Sequence, residues 1–253
     1  MKTISLNHAR VFDGEAFRDD CDVVIEEGRI AAVGRRLSAG GAALAHDLEG
    51  RLLVPGLVDL QVNGGGGILF NQAPMVETIR TIGAAHRRFG TTGFLPTLIS
   101  DTPEKTRQAV EAVNRAIEQG VPGLLCIHLE GPILARERRG IHDDAHFQTF
   151  DESDLECLTS HDNGVELLTV APETIAPEAI ERLKRAGVVV FGGHSAATYD
   201  EARAAFDAGM RGVTHLFNAM APFAHREPGL AGAALEDRRS YAGIIADGHH
   251  VHP

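Results

Sequence analysis

The sequence after residue 50 alternates two kinds of segment, and this alternation is the strongest constraint on the fold. Seven short runs there are apolar at almost every position. They cover residues 57–62, 93–98, 124–129, 166–170, 188–191, 212–216 and 242–246. Runs of this kind are typical of strands that are buried on both faces. With helix-like stretches between them, they predict a parallel sheet.

Three of the stretches between the apolar runs carry clear helix signals. One begins at 101–104, where Asp or Thr can cap and Pro103 lies early in the helix, and its apolar residues repeat at helical spacing. The other two cover 178–186 and Tyr199–Ala208, and a glycine follows each of them. We therefore expect a helix between successive strands.

Polar side chains at the strand ends favour one of the two parallel folds that fit this pattern. An open, doubly wound sheet gathers its ligand residues at one crevice, whereas a barrel draws them from the ends of many strands. Here the ends of most apolar runs carry such residues, namely Gln61, Asn63, Thr97, Glu130, Glu173, His194, His215 and Asp247. We predict an α/β fold, a (β/α)8 TIM-like barrel that is incomplete here, with seven strands visible and the eighth missing.

Residues 1–52 have a different pattern from the rest of the chain. Short alternating runs are separated by turn signals such as Asp13-Gly14 and Glu27-Gly28, which is typical of small antiparallel strands. We therefore predict two domains, a small β portion at 1–52 and a barrel at 53–253 that stops before strand eight.

Composition excludes several classes of protein. Of the 253 residues, 43% are hydrophobic and 23% are charged, which is usual for a globular chain. The net charge of −11 argues against a nucleic-acid or anionic-membrane partner. Three scattered cysteines predict neither a disulfide framework nor a zinc ribbon. Without a transmembrane run or a signal-like start, we expect a cytoplasmic enzyme or binding protein.

Glu130, His194 and His215 form the strongest candidate site in the sequence. Each lies at or just after the end of an apolar run, and strand ends of a barrel converge on one axis. Two imidazoles and a carboxylate are a common ligand set for a divalent metal such as zinc, with a position left for water. The alternative is that each histidine merely caps a strand or bonds the backbone.

Several other polar residues are open to two interpretations. His128 is two residues from Glu130, and a packed histidine is a better interpretation than a ligand. The glycine run at 63–67 lacks the spacing of a phosphate loop, so a loop at the barrel mouth is favoured. Arg226 is either a solvated side chain or a clamp for an anion. The histidines at 249–252 indicate a substrate contact rather than a second metal site.

The motifs resemble those of the amidohydrolase superfamily, and within it the N-acetylglucosamine-6-phosphate deacetylase family. They occur in the family's order along nearly the whole chain, as VPGLVDLQVNGG at 54–65, GTTGFLPT at 90–97, HLEGP at 128–132, VAPE at 170–173, GHS at 193–195, THLFNAM at 214–220, REPG at 226–229 and IADGH at 245–249. The resemblance implies a hydrolase that removes the acetyl group of N-acetylglucosamine 6-phosphate. It also implies that residues 1–52 are part of a small β-sandwich.

The resemblance also implies roles for individual residues. It makes Glu130, His194 and His215 the ligands of one divalent metal, with zinc favoured over iron, manganese, cobalt or nickel. It has His142 polarise the acetamido carbonyl group. The substrate-binding residues that it implies are Gln61, Ile141, His142, Asn218, Ala219, Arg226 and His250. The partner molecules that it implies are an amino-sugar phosphate and a second subunit of a homodimer.

Two departures from the family pattern affect these expectations. Many members of the superfamily have two histidines at the end of strand one, where this chain has Gln61 and Asn63, so we expect one metal rather than two. The family's catalytic aspartate at the end of strand eight has no match before Pro253, and we expect it beyond the chain end. The alternatives are another amidohydrolase, with a different amide or ring as substrate, and a non-catalytic sugar-phosphate-binding fragment.

Overall fold

The computed structural model describes residues 3–37, 44–151 and 166–253. The chain divides into two compact units, Met1–Leu57 and Val58–Pro253. Each unit has its own buried cluster of apolar residues.

The first unit is a five-stranded sheet. Its strands are β1 (Ile4–Phe12), β2 (Phe17–Glu26), β3 (Arg29–Gly34), β4 (Leu44–Asp47) and β5 (Leu52–Leu53). The antiparallel strands that the sequence predicts are β1, β2 and β3, which pair in chain order. The turn between β2 and β3 has positive φ at both Glu27 and Gly28, as a two-residue hairpin requires. Strands β4 and β5 instead pair in parallel with β1, so the sheet is mixed.

The second unit contains a curled sheet of seven strands, which is the partial TIM-like barrel that the sequence predicts. Its strands are β6 (Leu57–Val62), β9 (Thr91–Ile99), β10 (His128–Glu130), β11 (Leu167–Val170), β12 (Val189–Gly192), β13 (Gly212–Val213) and β14 (Tyr241–Ala242). They are neighbours in chain order, and every pair from β9 to β14 is parallel. The curl brings the ends of distant strands together, since Gln61 on β6 hydrogen-bonds Thr214 just after β13.

In the ranges that the structure describes, five helices lie between these strands. They are α1 (Val76–Arg87), α2 (Pro103–Glu118), α3 (Pro177–Arg185), α4 (Tyr199–Ala208) and α5 (Gly229–Glu236). The predicted end signals hold for both α2, which Thr102 caps, and α4, which ends at the C-cap Gly209. The structure adds a capping box of Thr198 and Glu201 at the start of α4. Each helix buries apolar side chains against the sheet, and these belong to the main core.

Three of the observed strands are clearly shorter than the predicted ones. Only the last part of the run at 124–129 belongs to a regular strand, β10. At the start of the run, Leu124 forms a single isolated bridge with Phe94. Strand β13 ends at Val213, since the backbone turns to positive φ at His215. Strand β14 ends at Ala242, although Gly243 still donates to the carbonyl group of Val213 and accepts from the backbone N–H of Leu216.

The glycine run at 63–67 forms a small hairpin rather than a flexible loop. Strands β7 (Gly64–Gly65) and β8 (Ile68–Leu69) pair antiparallel, and His86 of α1 hydrogen-bonds the Gly64 carbonyl at 2.9 Å. A side chain on Gly65 would meet the His86 ring at 2.9 Å. The close approach of this hairpin to α1 therefore explains the glycine.

A cavity of about 670 Å³ lies between the two edge strands of the curled sheet. In the described part of the chain, β6 and β14 each pair with one strand. The apolar part of the cavity wall includes Val58, Leu60, Phe191, Tyr241 and Ile244. Polar side chains, among them those of Gln61, His128 and His215, also line it. The cavity thus reaches the polar strand ends.

None of the helices in the described ranges has both the length and the apolar character that a bilayer crossing requires.

Candidate metal centre

The structure brings Glu130, His194 and His215 together at the carboxyl ends of their strands. Glu130 is the last residue of β10, and the two histidines follow β12 and β13. One ligand atom of each lies within 4.8 Å of the others. Nε2 of His194 is 3.2 Å, and Nε2 of His215 is 3.0 Å, from Oε1 of Glu130. All three side chains are buried.

Backbone carbonyl groups determine which ring nitrogen of each histidine carries the proton and which one offers a lone pair to this cluster. Nδ1 of His194 lies 2.8 Å from the carbonyl oxygen of Arg138, and Nδ1 of His215 lies 2.9 Å from that of Asn218. A carbonyl oxygen only accepts, so Nδ1 carries the proton in both neutral rings. Both Nε2 atoms then present lone pairs to Glu130 and, at 3.1 Å, to each other. Lone pairs that converge on a carboxylate in this way fit a divalent cation.

Gln61 holds the carboxylate of Glu130 in place. Its amide nitrogen donates to Oε1 of Glu130 at 2.8 Å, and its amide oxygen accepts from the hydroxyl group of Thr214. Both polar atoms of Gln61 are thus engaged within the protein. Burial raises the pKa of Glu130, but hydrogen bonding from imidazole N–H, above all that of His142, outweighs it and holds the pKa of this carboxyl group well below its usual value. The carboxylate is therefore ionised.

His142 lies beside the three ligand candidates, and its proton faces them. It is buried, and its ring centre is 4.4 Å from that of His194. The backbone N–H of Ser100 donates to Nδ1 of His142 at 3.2 Å. Burial lowers the pKa of His142 more than nearby Glu130 raises it, so the ring is neutral and carries its proton on Nε2. That atom is 3.7 Å from Oε2 of Glu130.

His128 is packed inside the sheet and does not belong to the cluster of ligand atoms. Its Nδ1 donates to the carbonyl group of Leu60 at 2.9 Å, and its Nε2 accepts from the hydroxyl group of Thr169 at 2.8 Å. Burial lowers the pKa of His128 to about 4. A neutral histidine thus bridges three strands below the candidate metal site.

The loops that carry the two histidines are strained. His194, His215, Phe217 and Ala219 all have positive φ, which is unfavourable for residues other than glycine. Such positions cost on the order of 1–3 kcal/mol each and cluster at functional sites. Nothing in the sequence marks these four residues as left-handed.

The other residues that the family resemblance implies lie in varied surroundings. Asn218 provides the carbonyl group that holds His215, and Ala219 follows it in the same turn. Ile141 is 84% exposed, beside buried His142. Arg226 is exposed, and exposed His250 hydrogen-bonds Asp247 at 2.7 Å. In the described ranges, neither of these two contacts the three ligand candidates.

Sequence reasoning missed two residues of the site. Ser100 follows β9 and sets the tautomer of His142 through its backbone. Ser195 is completely buried and forms hydrogen bonds to both neighbouring loops. The position of each, directly after a strand or next to a histidine, was the available signal.

Two curated relatives are similar to most of this chain. An N-acetylgalactosamine-6-phosphate deacetylase from a Shewanella species is 42% identical over 97% of the chain and 63% of its own length. The human N-acetylglucosamine-6-phosphate deacetylase is 39% identical over 82% of the chain and 54% of its own length. The chain therefore spans less than two thirds of both relatives.

A solved structure shows the same fold. The N-acetylglucosamine-6-phosphate deacetylase from Pasteurella multocida superposes with a TM-score of 0.93 at 31% identity, over 99% of this chain and 66% of that one. Fold and site together define a parallel (β/α) barrel protein with a buried Glu-His-His centre suited to a divalent metal. The model of the amidohydrolase family matches residues 52–253, and the chain belongs to that family.

Proposed function

We propose that this chain carries the metal centre of an enzyme that hydrolyses N-acetylglucosamine 6-phosphate to glucosamine 6-phosphate and acetate. The observation that carries the proposal is the convergence of Glu130, His194 and His215, with the Nε2 proton of His142 facing them. Relatives named for this activity match 82% of the chain in sequence and 99% of it in fold. The family membership supports a hydrolytic reaction on an amide.

Glu130, His194 and His215 would hold one divalent ion. We propose zinc, because two imidazoles and one carboxylate are a frequent zinc ligand set, with iron, manganese, cobalt and nickel as the alternatives. When bound, such an ion supplies Lewis acidity and lowers the pKa of a water toward neutrality. Gln61 keeps the carboxylate of Glu130 turned toward the histidines.

His142 is proposed to act on the acetamido carbonyl group. Its Nε2–H donates a hydrogen bond to the carbonyl oxygen, which stabilises the negative charge that develops there during attack by water. Because the ring is neutral and buried, its donor direction is fixed before the substrate arrives. We also propose that the exposed side chain of Ile141, next to it, contacts the sugar.

The loop after β13 is proposed to bind the phosphate group. In the described part of the chain, the backbone N–H of Ala219 donates to no acceptor, so it is available to a phosphate oxygen. The side chain of Asn218 lies in the same turn, and exposed Arg226 and His250 would add positive or donor groups. Since these last two lie apart from the ligand cluster, we propose that they serve the neighbouring site of a homodimer.

Proton transfer requires a group that takes a proton from the water and delivers it to the departing amine. We propose an aspartate of the whole protein for this role, as the family resemblance implies, and not Asp247. The carboxylate of Asp247 is exposed and bonds the backbone N–H groups of His249 and His250. We also propose a cytoplasmic location, supported by the buried thiol of Cys21.

Acetate release from N-acetylglucosamine 6-phosphate by the zinc-loaded full-length protein tests the proposal. Glu130→Gln should abolish both zinc retention and turnover. Arg226→Ala should raise KM at least tenfold with little change in kcat, since it removes binding that substrate and transition state share. Faster turnover of an acetylated sugar without phosphate would refute the proposed substrate.

The assay also separates the alternatives. N-acetylgalactosamine 6-phosphate is tested in parallel, because one relative at 42% identity is named for it. Turnover of that epimer alone would keep the reaction and change the sugar. Binding of glucosamine 6-phosphate without any turnover would instead support a non-catalytic sugar-phosphate-binding protein.

A further inference from the structure

Glu173 lies at the carboxyl end of β11, between the strands that carry the metal-ligand candidates. Its carboxylate accepts a hydrogen bond at 2.8 Å from the hydroxyl group of Ser195 and another from the backbone N–H of Ala196. In the described ranges no lysine or arginine forms an ion pair with it. Its hydrogen bonds therefore go to the loop that begins with His194.

Ser195 extends this contact to the second histidine loop. Its backbone N–H donates to the carbonyl group of Ala219 at 3.0 Å, and its own carbonyl group accepts from Ala221 at 2.9 Å. The residue before Ala219 is Asn218, whose carbonyl group holds Nδ1 of His215. The carboxylate of Glu173 is thus linked to the loop of His194 by two hydrogen bonds and, through Ser195, to the turn whose Asn218 carbonyl group holds His215.

Both loops need such support because their backbones are strained. His194 has φ of 47° and Ala219 has φ of 51°, in the left-handed region. Strained residues persist only where the surrounding contacts over-determine them. Without the carboxylate, the hydroxyl group of buried Ser195 and the backbone N–H of Ala196 would both lose their acceptor.

We propose that Glu173 is a positioning residue that, through Ser195, holds the loops of His194 and His215 in the geometry that binds a divalent cation. The inference rests on the proposed function only in requiring that the site binds such a cation. A carboxylate suits this role because it offers two acceptor atoms and no donor, which matches one N–H and one O–H. A glutamine at this position would match only one of the two donors without rearrangement.

The test measures the zinc affinity of the metal-free chain, by competition with a chromophoric chelator. Removal of groups that orient metal ligands typically weakens metal binding about 10–100-fold. We expect this loss for Glu173→Ala and a smaller loss for Glu173→Gln. The visible absorption spectrum of the cobalt-substituted protein should also change in Glu173→Ala, because it reports the ligand geometry directly.

Asp22→Ala is the matched control. Asp22 accepts from the backbone N–H groups of His8 and Leu37, at 3.0 and 2.9 Å, in the other compact unit. Removal of the Asp22 carboxylate should leave the zinc affinity of the chain unchanged. If Glu173→Ala does not fold, as far-UV circular dichroism would show, Ser195→Ala takes its place, with an expected loss of up to about tenfold.

The outcomes of these measurements distinguish failure of the proposed function from failure of the role proposed for Glu173. Failure of the wild-type chain to bind zinc, cobalt or another divalent ion overturns the proposed function. The role of Glu173 is overturned if the wild-type chain binds the ion and folded Glu173→Ala binds it with the same affinity. Where Ser195→Ala replaces that variant, an unchanged affinity in folded Ser195→Ala overturns it. An equal loss in Asp22→Ala would also overturn it, since the effect would then be one of general stability.

Discussion

A backbone N–H group decides the chemistry available to His142. Ser100 donates to Nδ1, which leaves the proton on Nε2, the atom that faces Glu130. His194 and His215 have the opposite tautomer, because backbone carbonyl groups accept from their Nδ1 atoms. Three neighbouring imidazoles thus divide into one donor and two lone-pair ligands without any difference in side-chain type.

Nitrogen-15 NMR of histidine-labelled protein should show this division. In the zinc-loaded chain we expect a protonated Nε2 on His142 and protonated Nδ1 atoms on His194 and His215. Assignment uses the variants His142→Asn and His215→Asn. A protonated Nδ1 on His142 would contradict the role of its ring as a donor toward the site.

Gly193 shows how closely the strand ends pack beside the metal centre. A Cβ at this position would meet the methyl group of Thr169 at 2.8 Å and would overlap that of Thr214. We expect Gly193→Ala to lower the free energy of unfolding by about 1–3 kcal/mol, the usual cost of overpacking, and to weaken zinc binding. Urea unfolding measures the first effect.

Gly34→Ala is the control for this substitution. Its Cβ would lie 3.4 Å from the side chain of Leu37, in ordinary contact. We expect a change within about 0.5 kcal/mol, as for most surface positions. Equal destabilisation by both substitutions would show that the packing around Gly193 is not special.

At the level of elements, the sequence predicted the strands and helices of the barrel better than its loops. Apolar runs and helix-end signals identify β9, β11, α2 and α4, since burial and local capping decide those elements. The early end of β13 could not be foreseen, because it depends on left-handed backbone at His215 and Phe217. That conformation is imposed by tertiary hydrogen bonds and has no signature in the sequence.

The candidate metal site was likewise predictable where it depends on strand ends and not where it depends on loops. The convergence of Glu130, His194 and His215 could be predicted, because parallel strands place their carboxyl ends on one rim. The tautomers of His142 and His194, and the link from Glu173 to Ser195, could not, because the hydrogen-bond partners lie far apart in sequence.

Asp237 at the end of α5 joins this helix to α4 and predicts a pH effect on stability. The side chain and backbone N–H of Arg239, with further help from Arg203, hold the pKa of Asp237 well below its ordinary value of 3.8. Because the pKa of Asp237 is lower in the folded state than in the unfolded state, its carboxylate stabilises the fold at pH values above the unfolded-state pKa. This stability is lost as the pH falls through about 4 toward the folded-state pKa.

Asp237→Asn should therefore destabilise the chain by about 1.5–3 kcal/mol at pH 7, the value of a charged hydrogen bond, and by less at pH 3. Urea unfolding at the two pH values measures the difference. Asp207→Asn is the control, because Asp207 bonds the same two arginines from an exposed position and should cost under about 1 kcal/mol. A constant cost of Asp237→Asn at both pH values would contradict the assignment.

For the whole molecule, the cation should stabilise the unit that holds the site. At a free zinc concentration of 100 times Kd, binding adds about 2.7 kcal/mol to the free energy of unfolding. For a unit of this size, we expect Tm to rise by about 5–10 °C. Scanning calorimetry with and without zinc measures this rise in Tm, and Glu130→Gln should abolish the rise. An equal rise in that variant would place the cation elsewhere.

The order of strands in the curled sheet also determines when the site can exist. Each strand from β10 to β14 lies beside the one that precedes it in the chain, and His215 is 85 residues after Glu130. As a ribosome extends the polypeptide, the glutamate emerges long before either imidazole. Capture of a metal ion by all three ligands must therefore wait until residue 215 has been made, and the bound ion then joins stretches of chain that are far apart in sequence.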